Sequence, residues 1–84
     1  MALGANGGLH MTQDDLLRLV HILALTQGVK LSTVSVWATN GSNPMLFDRL
    51  AAGRGCSTLT LETAATWFRL NWPRDLEWPS GIPR

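Results

Sequence analysis

Few side chains in this 84-residue chain belong to the types that carry out covalent chemistry. Cys56 would act as a nucleophile only beside a general base, and nothing in the spacing of His10 or His21 places either of them there. A single cysteine with two scattered histidines also does not form a metal-ligand pattern. We therefore expect no catalytic thiol, no metal site and no cofactor.

The acidic and glycine-containing motifs lead to the same expectation. Asp14 and Asp15 are neighbours on a predicted helix, where adjacent side chains point in different directions, so they are not a general acid–base pair. Gly53 and Gly55 do not follow a predicted strand and lack the Lys-Ser/Thr of a phosphate-binding loop. These patterns favour a binding protein over an enzyme.

Residues 31–53, LSTVSVWATNGSNPMLFDRLAAG, predict two short helices joined by a tight turn. Ser32 can cap the first helix, because its hydroxyl can accept a backbone N–H that has no partner within the helix. An Asn-Gly pair at 40–41 ends that helix, since Gly tolerates the left-handed conformation common there. An Asn-Pro pair at 43–44 begins the second helix, and Gly53 closes the unit. This outline is typical of a helix-turn-helix.

The same stretch resembles a known family, the repressors of the lambda, Cro and XRE type. These proteins carry Leu-Ser at the start of helix two, a later Gly, an apolar pair three apart in the recognition helix, and a Gly after that pair. The positions that match without a gap are Leu31, Ser32, Gly41, Phe47, Leu50 and Gly53. The chain departs from the family at Trp37, where a small Ala is usual, and at Asn40 and Ser42, where apolar residues are usual. The packing of the first helix of the motif is therefore expected to differ.

The resemblance implies the DNA-binding domain of a small bacterial or phage transcriptional regulator. In that mode the second helix of the motif lies in the major groove, with its N-terminal residues at base edges. The positions that would contact double-stranded DNA are Lys30, Thr33, Asn43, Pro44, Met45, Asp48, Arg49 and Arg54. Among them, Asn43 and Arg49 have the best chemistry for bases, because Asn pairs with adenine and Arg with guanine.

The remaining positions would have supporting roles. Lys30, Thr33 and Arg54 would hold phosphates. Pro44 and Met45 offer no side-chain donor to a base, although Met45 can touch a thymine methyl. Asp48 would be repelled by phosphate, and it would either accept from a cytosine amine or orient the neighbouring arginine.

The flanking segments predict one helix on each side of the motif. The clearest is at residues 12–27, where Thr12 and Asp15 resemble a capping box and Gly28 marks the end. Its apolar face comprises Leu16, Leu19, Val20 and Leu23, widened by Leu17 and Leu25. His21 is expected at the boundary of this face and not as a ligand.

A last helix is predicted after a loop at residues 54–59. Thr60 would cap it, and Pro73 would end it near Asn71, because the residue before a proline avoids helical geometry. Its buried face would comprise Leu61, Ala64, Ala65 and Phe68, extended by Trp67.

The C-terminal segment, NWPRDLEWPSGIPR at residues 71–84, contains two Trp-Pro pairs. Its prolines favour extended backbone. The apolar residues expected to fold back over the helices are Trp72, Leu76, Trp78 and Ile82. The alternative is an exposed aromatic surface at Trp72 and Trp78 for a partner protein or a second subunit.

Composition limits the class of protein and its compartment. A hydrophobic content of 45% and a charged content of 15% exclude a disordered chain. The net charge of +1 is weak support for a nucleic-acid partner, although basic residues outnumber acidic ones between residues 30 and 69. We expect a cytoplasmic location, because the sequence shows no secretory signal, no membrane-spanning stretch and only one cysteine.

Together these patterns predict an all-α fold, a compact bundle of four to five short helices with a central helix-turn-helix and an extended Trp/Pro-rich C-terminal tail. Residues 1–11 would form a flexible N-terminal segment, residues 12–72 the helix-turn-helix domain, and residues 73–84 a tail that packs on it. The expected function is sequence-specific binding of double-stranded DNA, with a homodimer left open. The rival is a helical protein-interaction module that uses the Trp-rich C-terminal surface and binds no DNA; the low net charge favours it.

Overall fold

The computed structural model describes residues 11–84 as four helices, and that part of the chain contains no strand. The helices are α1 (Gln13–Gln27), α2 (Leu31–Thr39), α3 (Leu46–Ala51) and α4 (Thr58–Asn71). The predicted all-α fold is therefore confirmed. α1 and α2 each pack against all three other helices, so the core lies where these two cross.

The start and end of α1 follow from its sequence. The backbone N–H of Asp15 donates to the Thr12 hydroxyl over 3.1 Å, and the Asp15 carboxylate accepts from the Thr12 N–H over 3.0 Å. This is the predicted capping box, which pairs two N–H groups that the helix itself leaves free. Gly28 ends the helix in the left-handed conformation, with φ of 69°, and donates its N–H to the Ala24 carbonyl. A side chain at that φ would be strained.

The predicted core face of α1 is confirmed at its centre and wrong at its end. Leu16, Leu19, Val20 and Leu23 are buried, and Leu17 packs partly against them. Leu25 is 87% exposed and does not widen the face. His21 lies on the solvent side, with Nδ1 2.7 Å from the Leu17 carbonyl oxygen.

Three predicted helix starts differ from the structure. α2 begins at Leu31 with Lys30 as its N-cap and no side-chain cap, so Ser32 does not cap it. α4 begins at Thr58, because the Ser57 hydroxyl, and not Thr60, accepts the free N–H of its first turn. α3 begins two residues later than predicted.

The delayed start of α3 has a local cause. The carbonyl of Asn43 accepts from the N–H of Leu46 over 3.2 Å, a three-residue turn that precedes the first helical bond, from the Arg49 N–H to the Met45 carbonyl. The proline at 44 therefore lies in this turn and not in the first turn of the helix. Phe47 and Leu50 are buried, 0% and 3% exposed.

The C-terminal segment contributes to the core. Trp72 and Ile82 are 7% and 5% exposed, and Leu76 and Trp78 pack partly against the buried residues. The indole N–H of Trp72 donates to the Leu76 carbonyl over 2.8 Å, and that of Trp78 to the Ile82 carbonyl over 2.9 Å. Each indole thus closes a short loop of the proline-rich chain and satisfies its own polar atom.

The N-terminal expectations fall partly outside the described residues. Residues 1–10 of the predicted flexible segment are not described, while Met11, its last residue, is 5% exposed within the core. In residues 11–84 no single helix is long and apolar enough to cross a membrane. Only α1 and α2 taken together, bent by 112° at their junction, meet that test of length and composition.

Candidate nucleic-acid interface

The side chains predicted to contact DNA are all accessible to solvent to some degree. The exposed residues of this set are Lys30, Pro44, Met45, Arg49 and Arg54. The half-buried residues are Thr33, Asn43 and Asp48. They lie at the start of α2, in the turn before α3, on α3 and just after it. Solvent access is required of a contact residue, but it does not by itself distinguish a base contact from a phosphate contact.

Ser35, for which the sequence predicts no role, joins α2 to α3. Its side chain is 0% exposed. Its hydroxyl donates to the Leu31 carbonyl over 3.0 Å and accepts from the backbone N–H of Phe47 over 3.0 Å. Phe47 is in the first turn of α3, where the helix offers no acceptor. The serine of one helix therefore supplies the N-terminal cap of the next.

Thr39 repeats this arrangement one turn later. Its hydroxyl donates to the Ser35 carbonyl over 2.7 Å and accepts from the Asn43 N–H over 3.1 Å. The Ser42 hydroxyl in turn donates to the Thr39 carbonyl over 2.8 Å. These hydroxyls hold the whole turn between α2 and α3 against the C-terminal end of α2. The sequence feature that accompanies this role is a Ser and a Thr four residues apart on a helix face that is otherwise apolar.

The C-terminal end of α3 carries two arginines. The N–H of Gly53 bonds to the Leu50 carbonyl over 3.0 Å, and the N–H of Arg54 bonds to the Arg49 carbonyl over 2.9 Å. Gly53 has φ of 87°, which lets the chain reverse there. Both arginines are exposed. Two positive charges are therefore carried by one closed turn.

The residues at which the chain departs from the repressor family have local roles. Trp37 is 41% exposed and stacks on Trp67 of α4, with ring centroids 6.3 Å apart and an interplanar angle of 29°. Asn40 is the left-handed C-cap of α2, with φ of 55°. Ser42 belongs to the hydroxyl chain of the turn. Trp37 thus packs α2 against α4.

The junction of α1 and α2 is shorter than that of α2 and α3. Only residues 28–30 separate α1 from α2, and the N–H of Val29 donates to the Ala24 carbonyl over 3.0 Å. The chain bends by 112° there. By contrast, residues 40–45 separate α2 from α3.

The outer face of α2 carries Val36, which is 42% exposed, beside Trp37 and Asn40.

Two further features, the Cys56 thiol and a cavity along α4, involve none of the predicted DNA contacts. Burial raises the pKa of the Cys56 thiol above its ordinary value, which lowers the fraction of nucleophilic thiolate at neutral pH. Within residues 11–84, no three His, Cys, Asp or Glu side chains lie close enough together to hold a metal ion. A cavity of about 430 Å³ lies along α4. Its lining residues are Met11, Thr58, Leu61, Glu62, Ala65, Thr66 and Arg69, and none of them is a predicted DNA contact.

Comparison with known proteins gives no match to a protein-family model, to a curated protein or to a solved structure.

Proposed function

We propose that this protein binds double-stranded DNA through the surface formed by α2, α3 and the turn between them, as a small transcriptional regulator does. The observation that carries the proposal is the placement of Lys30, Arg49 and Arg54. All three are exposed, and they lie at the start of α2 and around the end of α3. Such charges supply the sequence-independent part of DNA affinity by neutralising phosphates and releasing counterions.

The junction of α2 and α3 supports the same function. A protein that selects a base sequence must hold its contacting side chains in a fixed arrangement before it meets the duplex. The hydroxyls of Ser35 and Thr39 fix the beginning of α3 and the turn before it to α2. The charges that lie on these two helices are therefore carried by one rigid unit.

A salt series with random-sequence duplex tests the proposal. Binding should weaken steeply as salt rises, and Lys30→Ala or Arg54→Ala should weaken it for every duplex alike, with a salt slope smaller by about 1. Arg74→Ala is the matched control, because Arg74 is also exposed but lies in the C-terminal segment. That variant should bind as the unmodified protein does. The proposal fails if no random duplex is retained even at low salt and no sequence is enriched by selection.

The rival function, a protein partner at the Trp72 and Trp78 surface, receives less support. Trp72 is 7% exposed, and Trp78 is half-buried with its indole N–H paired to the Ile82 carbonyl. These rings are used to close the core, so little of their area is left for a partner. A protein-interaction module of that kind would show no duplex binding at any salt concentration.

A further inference from the structure

We infer that α2, and not α3, is the helix that enters the major groove, as the second helix of an α1–α2 helix-turn-helix whose Thr33 and Val36 contact bases. This inference rests on the proposed function and assigns its base-specific part. It differs from the expectation for α3, because the structure contains two helix pairs that share α2.

The length of the junction distinguishes the two pairs. A helix-turn-helix has two helices at roughly 90–120°, joined by a turn of about 3–4 residues that often contains Gly. The α1–α2 junction bends by 112° over residues 28–30 and has the left-handed Gly28 at its start. The α2–α3 connection takes residues 40–45 and contains two left-handed residues, Asn40 and Gly41. The first junction fits the motif and the second is longer than it.

The two candidate helices also differ in what they can present. α2 has 9 residues and α3 has 6, which correspond to lengths of about 14 Å and about 9 Å. In α3 the N–H groups of Leu46 and Phe47 are taken up by the Asn43 carbonyl and the Ser35 hydroxyl. The two residues directly before α3, Pro44 and Met45, are exposed and have no side-chain donor, and Asn43 is half-buried. Its N-terminal end therefore offers few polar contacts to base edges.

The outer face of α2 has chemistry that suits a thymine-containing site. Thr33 and Val36 are three apart on a helix and so share a face, and Val36 is 42% exposed. Val34 and Ser35, between them in sequence, point into the core and are 0% exposed. In the major groove an apolar side chain contacts the thymine methyl, and a threonine supplies both a hydroxyl and a methyl group. Lys30, at the N-cap of α2, is then near the backbone that flanks the groove.

This assignment changes the role of α3. Ser35 holds the beginning of α3 against the inner side of α2, so α3 supports the helix in the groove from behind. Arg49 and Arg54, on the turn that ends α3, then contact phosphates and contribute equally to all sequences. Arg49 is the residue on which the two assignments disagree most sharply.

The test compares sequence preferences selected from a random duplex library by the full chain and by three variants. The variants are Val36→Ala, Thr33→Val, which keeps the side-chain shape and removes the hydroxyl, and Arg49→Ala. Each α2 variant should relax the preference at one base pair and lose at least about 5-fold in affinity for the selected duplex, a larger factor than it loses for random duplex. Arg49→Ala should weaken binding to selected and random duplex by the same factor.

A second measurement uses the duplex instead of the protein. Uracil lacks the thymine methyl, so replacing thymine by uracil at the contacted position should weaken binding of the unmodified chain, and should weaken binding of Val36→Ala by a smaller factor because alanine has a smaller apolar side chain. The unmodified chain provides a result even if a variant does not fold. Thermal unfolding of each variant is the folding control.

Three results would overturn the inference. If Arg49→Ala relaxes a base preference while both α2 variants keep theirs, α3 is the helix in the groove and DNA binding still stands. If no thymine-to-uracil replacement changes the affinity of the unmodified chain, Val36 does not contact a thymine methyl. If no duplex is bound at low salt, the proposed function fails together with the inference.

Discussion

Ser35 illustrates how much a single hydroxyl can determine in a domain of this size. A polar side chain with no solvent access is costly unless its hydrogen bonds are made, and here one oxygen makes two, to the Leu31 carbonyl and from the Phe47 N–H. The first is the common bond of a serine to the carbonyl four residues before it, which contributes little to a helix. The second has no substitute, because Phe47 lies in the first turn of α3 and is buried.

Ser35→Ala should therefore destabilise the protein by about 1–3 kcal/mol, the cost of leaving a buried N–H without an acceptor. Urea unfolding measures the loss, and faster hydrogen exchange of the Phe47 amide would locate it. Ser32→Ala is the control on the same helix, since Ser32 is half-buried and does not cap α2. That control should change stability by no more than about 0.5 kcal/mol. Equal effects of the two substitutions would show that the hydroxyl of Ser35 does not cap α3.

At this scale the sequence predicts which residue types cap helices but not which individual residue does so. Ser57 and Thr60 are both suitable, three residues apart, and the structure uses Ser57. Ser32 is a good capping type, but α2 starts one residue before it. A cap requires a start within one residue of the correct position, and packing of the whole helix decides that start. The role of Ser35 is not visible in the local sequence, because its hydroxyl accepts from a residue twelve positions away.

The helices themselves were largely predictable, because their apolar faces repeat at helical spacing. The buried faces of α1 and α4 follow that pattern, and α4 ends at Asn71 as expected from the proline at 73. The prediction that Leu25 belongs to the buried face is wrong. Leu25 lies at the C-terminal end of α1, on the side away from the other helices, and is 87% exposed. Periodicity predicts a stripe along one side of a helix, and Leu25 lies outside the stripe of α1 although Ala24, its neighbour in sequence, is buried.

The shortest helix depends most on a few apolar contacts. Leu50 is 3% exposed and Phe47 packs its ring on Phe68, with centroids 5.8 Å apart. Leu50→Ala should lower the free energy of unfolding by about 2–5 kcal/mol, since it leaves a cavity in the core. Leu70→Ala is the control, because Leu70 is 78% exposed on α4 and should cost no more than about 0.5 kcal/mol. An unchanged melting temperature for Leu50→Ala would contradict the burial of α3.

The arrangement of helix pairs was the part that local patterns did not determine. The sequence frame places the turn of the motif at Gly41, and that glycine is indeed left-handed, with φ of 82°. Gly28 is left-handed as well, and the bend of 112° between α1 and α2 is not predicted by the local sequence. Which surface would face DNA is consequently a property of the folded molecule.

The whole molecule is linked by a row of aromatic side chains. Trp37 of α2 stacks on Trp67, which meets Phe68 edge to face at 5.2 Å, and Phe68 contacts Trp72 at 6.2 Å. Trp72 meets Trp78 at 5.2 Å. The Arg84 guanidinium lies 4.6 Å from the centre of the Trp78 ring and bonds to the Arg69 carbonyl. The C-terminal segment is thus part of the same core as the helices.

Truncation after Asn71 should accordingly lower the stability by at least about 3 kcal/mol, the usual cost of losing a buried tryptophan, or cause aggregation of the exposed core. Circular dichroism melts at one protein concentration measure it. Arg84→Ala is the control, since it keeps the tryptophans and removes only the cation–π contact with Trp78 and the hydrogen bond to the Arg69 carbonyl. It should cost about 1–2 kcal/mol. If the truncated chain melts at the same temperature as the full chain, the segment does not stabilise the domain.

The aromatic row also determines what optical spectroscopy can detect. The chain has four tryptophans and no tyrosine, so its intrinsic fluorescence comes almost entirely from this one line of rings. Trp72 and Trp78, at 5.2 Å and an angle of 71°, are held in fixed packing only while the C-terminal segment is docked, so their near-ultraviolet circular dichroism is lost when the segment undocks. Far-ultraviolet dichroism instead follows the four helices. Recording both bands during one melt would separate undocking of the segment from loss of the helices without any added label.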